Sequence, residues 1–185
     1  MSGPLSITVI VAARNEEANI SSCIASLLPA KRVIVVDSGS RDQTSDLARK
    51  AGAEVVQFEY HGGYPRKRQW AIDTLEINTK WTMFVDADER IPESLWNEIE
   101  GAVRRHDIDA FLITKEFHFM GRDFRWGGFS HAAVILFRTG HARFEQAVLK
   151  PPEDMDMEVH ERLVLHGRID RLKTPLIHED FKGLE

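Results

Sequence analysis

Residues 83–90 read Met-Phe-Val-Asp-Ala-Asp-Glu-Arg. An apolar run that begins at Trp81 ends there on Asp86, Asp88 and Glu89, three acids within four positions. Carboxylates repel one another, so crowding them where a buried strand surfaces costs stability unless a positive charge meets them. On a turn after a strand, positions i and i+2 can aim both Asp86 and Asp88 outward, and hard cations such as Mg2+ or Mn2+ take oxygen ligands of this kind. The competing reading gives Asp88 and Glu89 a smaller task, as acids near the first turn of a helix opening at Pro92, where the helix dipole favours them.

Working back toward the N-terminus, strands and helices alternate. Residues 5–12 (LSITVIVA) form a short run rich in β-branched residues, the mark of a strand buried on both faces. Asn15 reads as a helix N-cap with Glu16 and Glu17 in the first turn, and that helix stops near Pro29. A second buried strand covers 32–36 and ends on Asp37, after which Ser38 and Gly39 turn the chain. Ser40 and Gln43 have capping-box spacing for a helix through about Lys50, closed by Gly52. A third strand covers 54–58, a Gly62–Pro65 turn follows, and a helix runs from Arg66 to about Glu76. Lys80–Val85 is the fourth strand, and the helix at Pro92 reaches about Arg105.

This order predicts an α/β fold with a mainly parallel central sheet and helices on both faces. Such sheets bind ligands at the carboxyl ends of their strands, where Asp37, the 86–89 acids and the turn after Ala12 would all converge. After Asp109 the pattern changes to apolar segments at 110–114, 132–137, 159–165 and 169–172, linked by Gly-rich or acidic loops. These predict added strands that finish the sheet and wall the cleft, with no strong helix.

The 185 residues suit one domain, able to bury roughly 70% of its unfolded surface. A net charge of −5 argues against a nucleic-acid partner. The single cysteine, Cys23, excludes an intramolecular disulfide and a cysteine-based zinc site; its spacing with Ile20, Ile24, Leu27 and Leu28 is that of a buried helix face and predicts core filling. No apolar run approaches the about 20 residues of a membrane span, and the N-terminal residues lack a signal-peptide core. The expectation is a cytoplasmic protein, with contact at a membrane surface left open. No G-x-x-x-x-G-K-[ST], no G-x-G-x-x-G after the first strand and no G-x-S-x-G occurs, which weighs against P-loop nucleotidases, dinucleotide-dependent dehydrogenases and serine hydrolases.

Four segments in order, ITVIVAARNEE (7–17), VIVVDSGSRDQT (33–44), KRQWAID (67–73) and MFVDADER (83–90), resemble family 2 glycosyltransferases, whose nucleotide-binding sheet has the A-type fold. The segments WGGFSHAAVILFRTGHARF (126–144) and VHERLVLHGRIDRLKTPLIHEDFKGLE (159–185) resemble the branch of lipopolysaccharide-core β-1,4-glucosyltransferases. The resemblance covers nearly the whole chain. It implies a single glycosyltransferase domain over 1–185, with a nucleotide-sugar-binding half at 1–108 and an acceptor-side half at 109–185. Because relatives usually continue through further helices, the halt at Glu185 suggests a C-terminally trimmed or reduced form.

Carried over residue by residue, the resemblance implies that Ala13, Arg14, Asn15 and Glu16 line the nucleoside pocket. Asp37 would accept a hydrogen bond from the base, and Ser38 and Gly39 would allow close approach. Lys67 and Arg68 would neutralise the diphosphate. Asp86 would contact the ribose, or the metal through water, and Asp88 would ligate Mg2+ or Mn2+ directly, with His178 as a further ligand. Where the family more often carries Asn this chain has Gln69, so no role transfers to it. The catalytic base would be Glu161, in the Val159-His160-Glu161 match, with Asp154, Asp156 and Glu158 as neighbouring acids. Trp126, Gly127 and Gly128 with Arg125 could shape an acceptor wall. The expected partners are a nucleotide sugar, UDP-linked by the family's habit, and a glycan or glycolipid acceptor. Two other readings stay open: a nucleotide-sugar-binding module without turnover, and a sugar-phosphate nucleotidyltransferase. Against the second stands Ala12-Ala-Arg-Asn-Glu-Glu17, which lacks a Gly-rich basic signature after the first strand.

Overall fold

The computed structural model describes residues 3–59, 61, 67–119, 122–123, 131–145 and 162–179. The strands are β1 (Leu5–Ala13), β2 (Ala30–Asp37), β3 (Glu54–Gln57), β4 (Trp81–Asp86), β5 (Glu89–Arg90), β6 (Ala110–Phe119), β7 (Arg122–Asp123), β8 (His131–Arg138), β9 (Ala142–Glu145), β10 (Arg162–Leu165), β11 (Ile169–Arg171) and β12 (Leu176–Glu179). The helices are α1 (Ile20–Ala25), α2 (Thr44–Lys50), α3 (Lys67–Thr74) and α4 (Glu93–Ala102).

The main sheet runs β3-β2-β1-β4-β8-β6-β12-β5, with β7 and β11 added to β6. β3, β2, β1 and β4 are parallel, β8 joins antiparallel to β4, and β6 pairs antiparallel with β8 and parallel with β12. A separate hairpin pairs β9 with β10. Register decides what meets at the edge. Ala13 lies opposite Asp37, Ala12 opposite Asp86, and Asp37 opposite Gln57. The parallel strands therefore end at one level, and their terminal acids share a rim.

The period-two alternation of β1 divides the core between the two faces. Ile7, Val9 and Val11, all 0% exposed, pack with Ile20, Cys23 and Leu27 near α1, Ala48 of α2, and Leu95 and Ile99 of α4. Ile10, Val36 and Phe84 point the other way, toward Ala71 and Trp70 of α3 and Phe144 of β9. Each such side chain withdraws apolar area worth about 1.5–3 kcal/mol. Helices thus cover both faces, as the alternation predicts. Among the described residues none follows α4, and no helix is long and apolar enough to cross a membrane.

Several boundaries depart from expectation for physical reasons. Asn15 is not an N-cap: it stands at φ 53, in the left-handed region, and α1 begins only at Ile20. Asparagine is favoured in both settings because its short amide bonds to nearby backbone. Ser40 caps no helix either. α2 starts at Thr44 with Gln43 before it, while the Ser40 hydroxyl bonds to Asp37. Pro92 precedes α4 in extended geometry instead of sitting inside it, and the helix ends at Ala102, short of Arg105.

Candidate active site

The rim is built first by two loops joined to each other. The backbone N–H of Asn15 donates to Ser40 Oγ (2.9 Å), and Asn15 Oδ1 accepts from the N–H of Arg41 (2.9 Å). The N–H of Glu16 donates to Thr44 Oγ1 (2.7 Å), that of Glu17 to Asp42 (3.2 Å), and that of Gln43 to Glu17 Oε2 (3.0 Å). Asp37 anchors this seam at 1% exposure. Its Oδ1 accepts from the N–H and hydroxyl of Ser40 (3.0 and 2.6 Å), and its Oδ2 from Ser45 Oγ (2.6 Å) and Gln57 Nε2 (3.2 Å). Burial pushes this carboxyl's pKa up, but the four donors outweigh it and hold the group below the usual carboxylate value. With about four lone-pair sites on a carboxylate, Asp37 is saturated by protein donors. A base seeking it would have to displace one of them. Beside it, the buried hydroxyl of Ser38 has no hydrogen-bond partner.

The acids of 86–89 meet resident cations. Arg68 Nη2 donates to Asp86 Oδ1 (2.7 Å) and Lys115 Nζ to Asp86 Oδ2 (3.2 Å), so each oxygen of Asp86 has its own positive partner. Glu89, fully buried, accepts the backbone N–H of Asp86 at Oε2 (2.9 Å) and pairs with Lys115 through Oε1. Burial pushes the pKa of Asp86 up, yet Arg68 and Lys115 leave it lowered. Asp88 differs. Its Oδ1 is buried with no hydrogen bond, and the nearest cationic group is His178 Nδ1 at 3.5 Å. Burial first, then Asp86, Glu89 and Glu16, raise its pKa to about 6 against the opposing pull of His178.

His178 arrives through pairing, not sequence proximity: β12 runs antiparallel to β5 with His178 opposite Glu89. Lys67 Nζ donates to the carbonyl of Ala13 (3.0 Å), and burial lowers its pKa against the attraction of Asp37 and Asp86. Arg14 is exposed and acts on Lys67 as a like charge. Cys23 fills the core with Ile20, Ile24 and Leu27 as the spacing predicts, with Sγ 3.7 Å from the carbonyl of Asp86, but Leu28 of the same pattern is 75% exposed, because α1 ends at Ala25 and the helical period does not reach it.

Electrostatic interactions centred on Lys67 therefore link Arg14, Asp37, Arg68 and Asp86, and those centred on Asp88 link Glu16, Asp86 and His178, so that Asp86 joins the two groups along one rim. Glu161, Asp154, Asp156, Glu158, Arg125, Trp126, Gly127 and Gly128 lie outside the described residues. Among the described residues, no three His, Cys, Asp or Glu side chains gather as a metal set. The donor chemistry still fits a hard divalent ion held by few protein oxygens, because Asp88 offers a carboxylate oxygen that no hydrogen bond occupies. Lys115 escaped the sequence reading, as did Ser45 and Gln57 around Asp37. A lysine in a strand ordinarily reads as solvent-facing, and only an apolar neighbourhood with acids across the sheet would have marked it.

Comparison with known proteins follows this geometry. The lipopolysaccharide core biosynthesis glycosyltransferase LpsC of Rhizobium meliloti (strain 1021) is 26% identical over 181 residues, 94% of this chain and 63% of the relative. An uncharacterized glycosyltransferase of Rickettsia typhi is 34% identical over 107 residues, 57% of this chain and 36% of its own. The crystal structure of S. aureus TarS 1–349 superposes with a TM-score of 0.50 at 27% identity, over 63% of this chain and 36% of that one. The chain thus spans less than two-thirds of LpsC and about a third of the other two. The profile of glycosyl transferase family 2 matches residues 8–166, most of the sequence, and the chain belongs to that family.

Proposed function

We propose that this chain is an inverting, divalent-metal-dependent glycosyltransferase. It moves a sugar from a nucleotide diphosphate, UDP-linked, to a saccharide or lipopolysaccharide-type acceptor, at the cytoplasmic side of a membrane. The observation that carries this reading is the common level at which β1, β2 and β4 end, which sets Asp37 and Lys67 beside Asp86 and Asp88. Likeness to LpsC supports the acceptor class.

In this reading Ala13, Asn15, Glu16 and Ser38 line the nucleoside cleft, and the loop seam around Asp37 holds its shape. Arg14 borders the same cleft, and Lys67 and Arg68 offer positive charge to the diphosphate. A Mg2+ or Mn2+ ion at Asp88, with His178 beside it, would offset charge on the departing diphosphate. Glu161 takes the proton of the acceptor hydroxyl. That oxygen forms its bond to the anomeric carbon as the bond from that carbon to the diphosphate breaks, and attack from the opposite side inverts the centre.

A thermal-shift screen of nucleotide sugars with and without Mn2+ tests binding, since stabilisation follows ligand affinity. Donor hydrolysis that needs Mn2+ and is abolished by Asp88→Asn and by Glu161→Gln supports the enzyme. The second reading is a nucleotide-sugar-binding module without turnover. Nucleotide uptake with no hydrolysis under any metal would favour it.

A further inference from the structure

The acids of 86–89 raise a question of charge: what neutralises them before any ligand arrives? Lys115 is 15% exposed and sits between two carboxylates, 3.2 Å from Asp86 Oδ2 and paired with Glu89 Oε1. Glu89 is 0% exposed, so its charge has no water to lean on. An isolated buried carboxylate is costly, and loss of one partner from a buried pair leaves the other uncompensated. Arg68 takes the remaining oxygen of Asp86.

We infer that Lys115 is a positioning residue, a built-in counter-ion that occupies Asp86 and Glu89 and so leaves Asp88 as the one carboxylate of the three facing an incoming divalent ion. Asp86 meets Arg68 and Lys115, and Glu89 Oε1, itself without a hydrogen bond, is still met by the Lys115 ammonium, whereas Asp88 Oδ1 has neither a hydrogen bond nor a lysine or arginine partner and faces only His178 at 3.5 Å. The arrangement has two consequences. The rim stays folded without metal, and a divalent ion binds weakly until a nucleotide's phosphates add ligands. The inference rests on the proposed metal-dependent reading, but its test separates the two.

The experiment compares wild type, Lys115→Met, Lys115→Arg and the double variant Lys115→Met/Glu89→Gln by thermal melting and by Mn2+ titration calorimetry without nucleotide. Lys115→Met should melt lower than wild type, yet bind Mn2+ about tenfold or more tightly, because a freed carboxylate pair attracts the ion. Lys115→Arg should restore wild-type behaviour in both readings. The double variant removes both charges, so it should fold even where Lys115→Met does not, with Mn2+ affinity back near that of wild type. Lower melting with unchanged or weaker Mn2+ binding in Lys115→Met would overturn the inference and leave Lys115 a structural ion pair. Tight Mn2+ binding by Lys115→Met, with no response of wild type to Mn2+ or nucleotide together, would uphold the counter-ion and sink the metal-dependent enzyme.

Discussion

His178 stands directly across from Glu89 in the two-residue pairing of β12 with β5, which brings its Nδ1 to 3.5 Å from Asp88. A histidine 89 positions after Glu89 in the chain thereby becomes its neighbour. The same pairing carries the second half of the chain to the rim laid down by the first.

Replacing His178 by Ala tests what that neighbour contributes. The imidazole is partly buried at 20% exposure, so its loss should cost about 1 kcal/mol of stability through unrelieved repulsion among the acids. The sharper readout is the ion. His178→Ala should shrink the Mn2+-induced rise in Tm measured with nucleotide present, and an unchanged rise would remove His178 from the metal site.

Asp37 yields a pH prediction. Its folded pKa lies below the unfolded value, so its contribution to stability is complete above about pH 4 and is lost as pH falls through the folded value. Asp37→Asn should flatten that acid loss. It should also lower stability at pH 7 by about 2 kcal/mol, because an amide cannot accept from all four donors and leaves one unmet. Urea unfolding at pH 7 and pH 3 measures both effects, and parallel pH curves for the two proteins would contradict the assignment.

How far the sequence spoke depends on what each residue's neighbours are. β1, β2 and β4 are legible because a strand buried on both faces must be an unbroken apolar run, and Val33, Ile34, Val35 and Val36 form one. Asp37, Asp86 and Asp88 are legible as a rim because a parallel sheet ends its strands together. Asn15 and Ser40 misled because their side chains serve several local purposes with similar energies, and the tertiary seam decided among them. β5 could not be read at all: two residues, Glu89 and Arg90, carry no periodicity, and their pairing partner lies far along the chain. Lys115 belongs to the same class, since its meaning is set by acids on other strands.

Gln69 shows a residue whose role the family pattern did not supply. Its Oε1 accepts the backbone N–H of Phe144 at 2.6 Å and its Nε2 donates to Asp73 at 2.6 Å, which ties α3 to β9 in a buried setting. Gln69→Leu removes the side-chain acceptor of the Phe144 N–H and the donor to Asp73, and should cost about 1–3 kcal/mol. Gln69→Asn, shorter by one methylene, should cost nearly as much, because the reach to β9 is lost. Equal stability of wild type and Gln69→Asn in urea would show that the tie contributes nothing.

The left-handed backbone of Asn15 separates two costs that a single substitution would merge. At φ 53 a side chain with a Cβ is strained, and only glycine is indifferent. Asn15→Gly keeps the backbone and deletes the bond from Oδ1 to the Arg41 N–H, so it should lose about 1 kcal/mol. Asn15→Ala loses that bond and adds the left-handed penalty without the amide's local compensation, for about 2 kcal/mol in all. Chemical denaturation should therefore order the proteins wild type, then Gly, then Ala. Nucleotide affinity, read by titration calorimetry, should fall in the same order, because the seam that Asn15 closes with Ser40 and Arg41 is also the wall of the proposed nucleoside cleft. Loss of stability with affinity intact would place the nucleotide elsewhere on the rim.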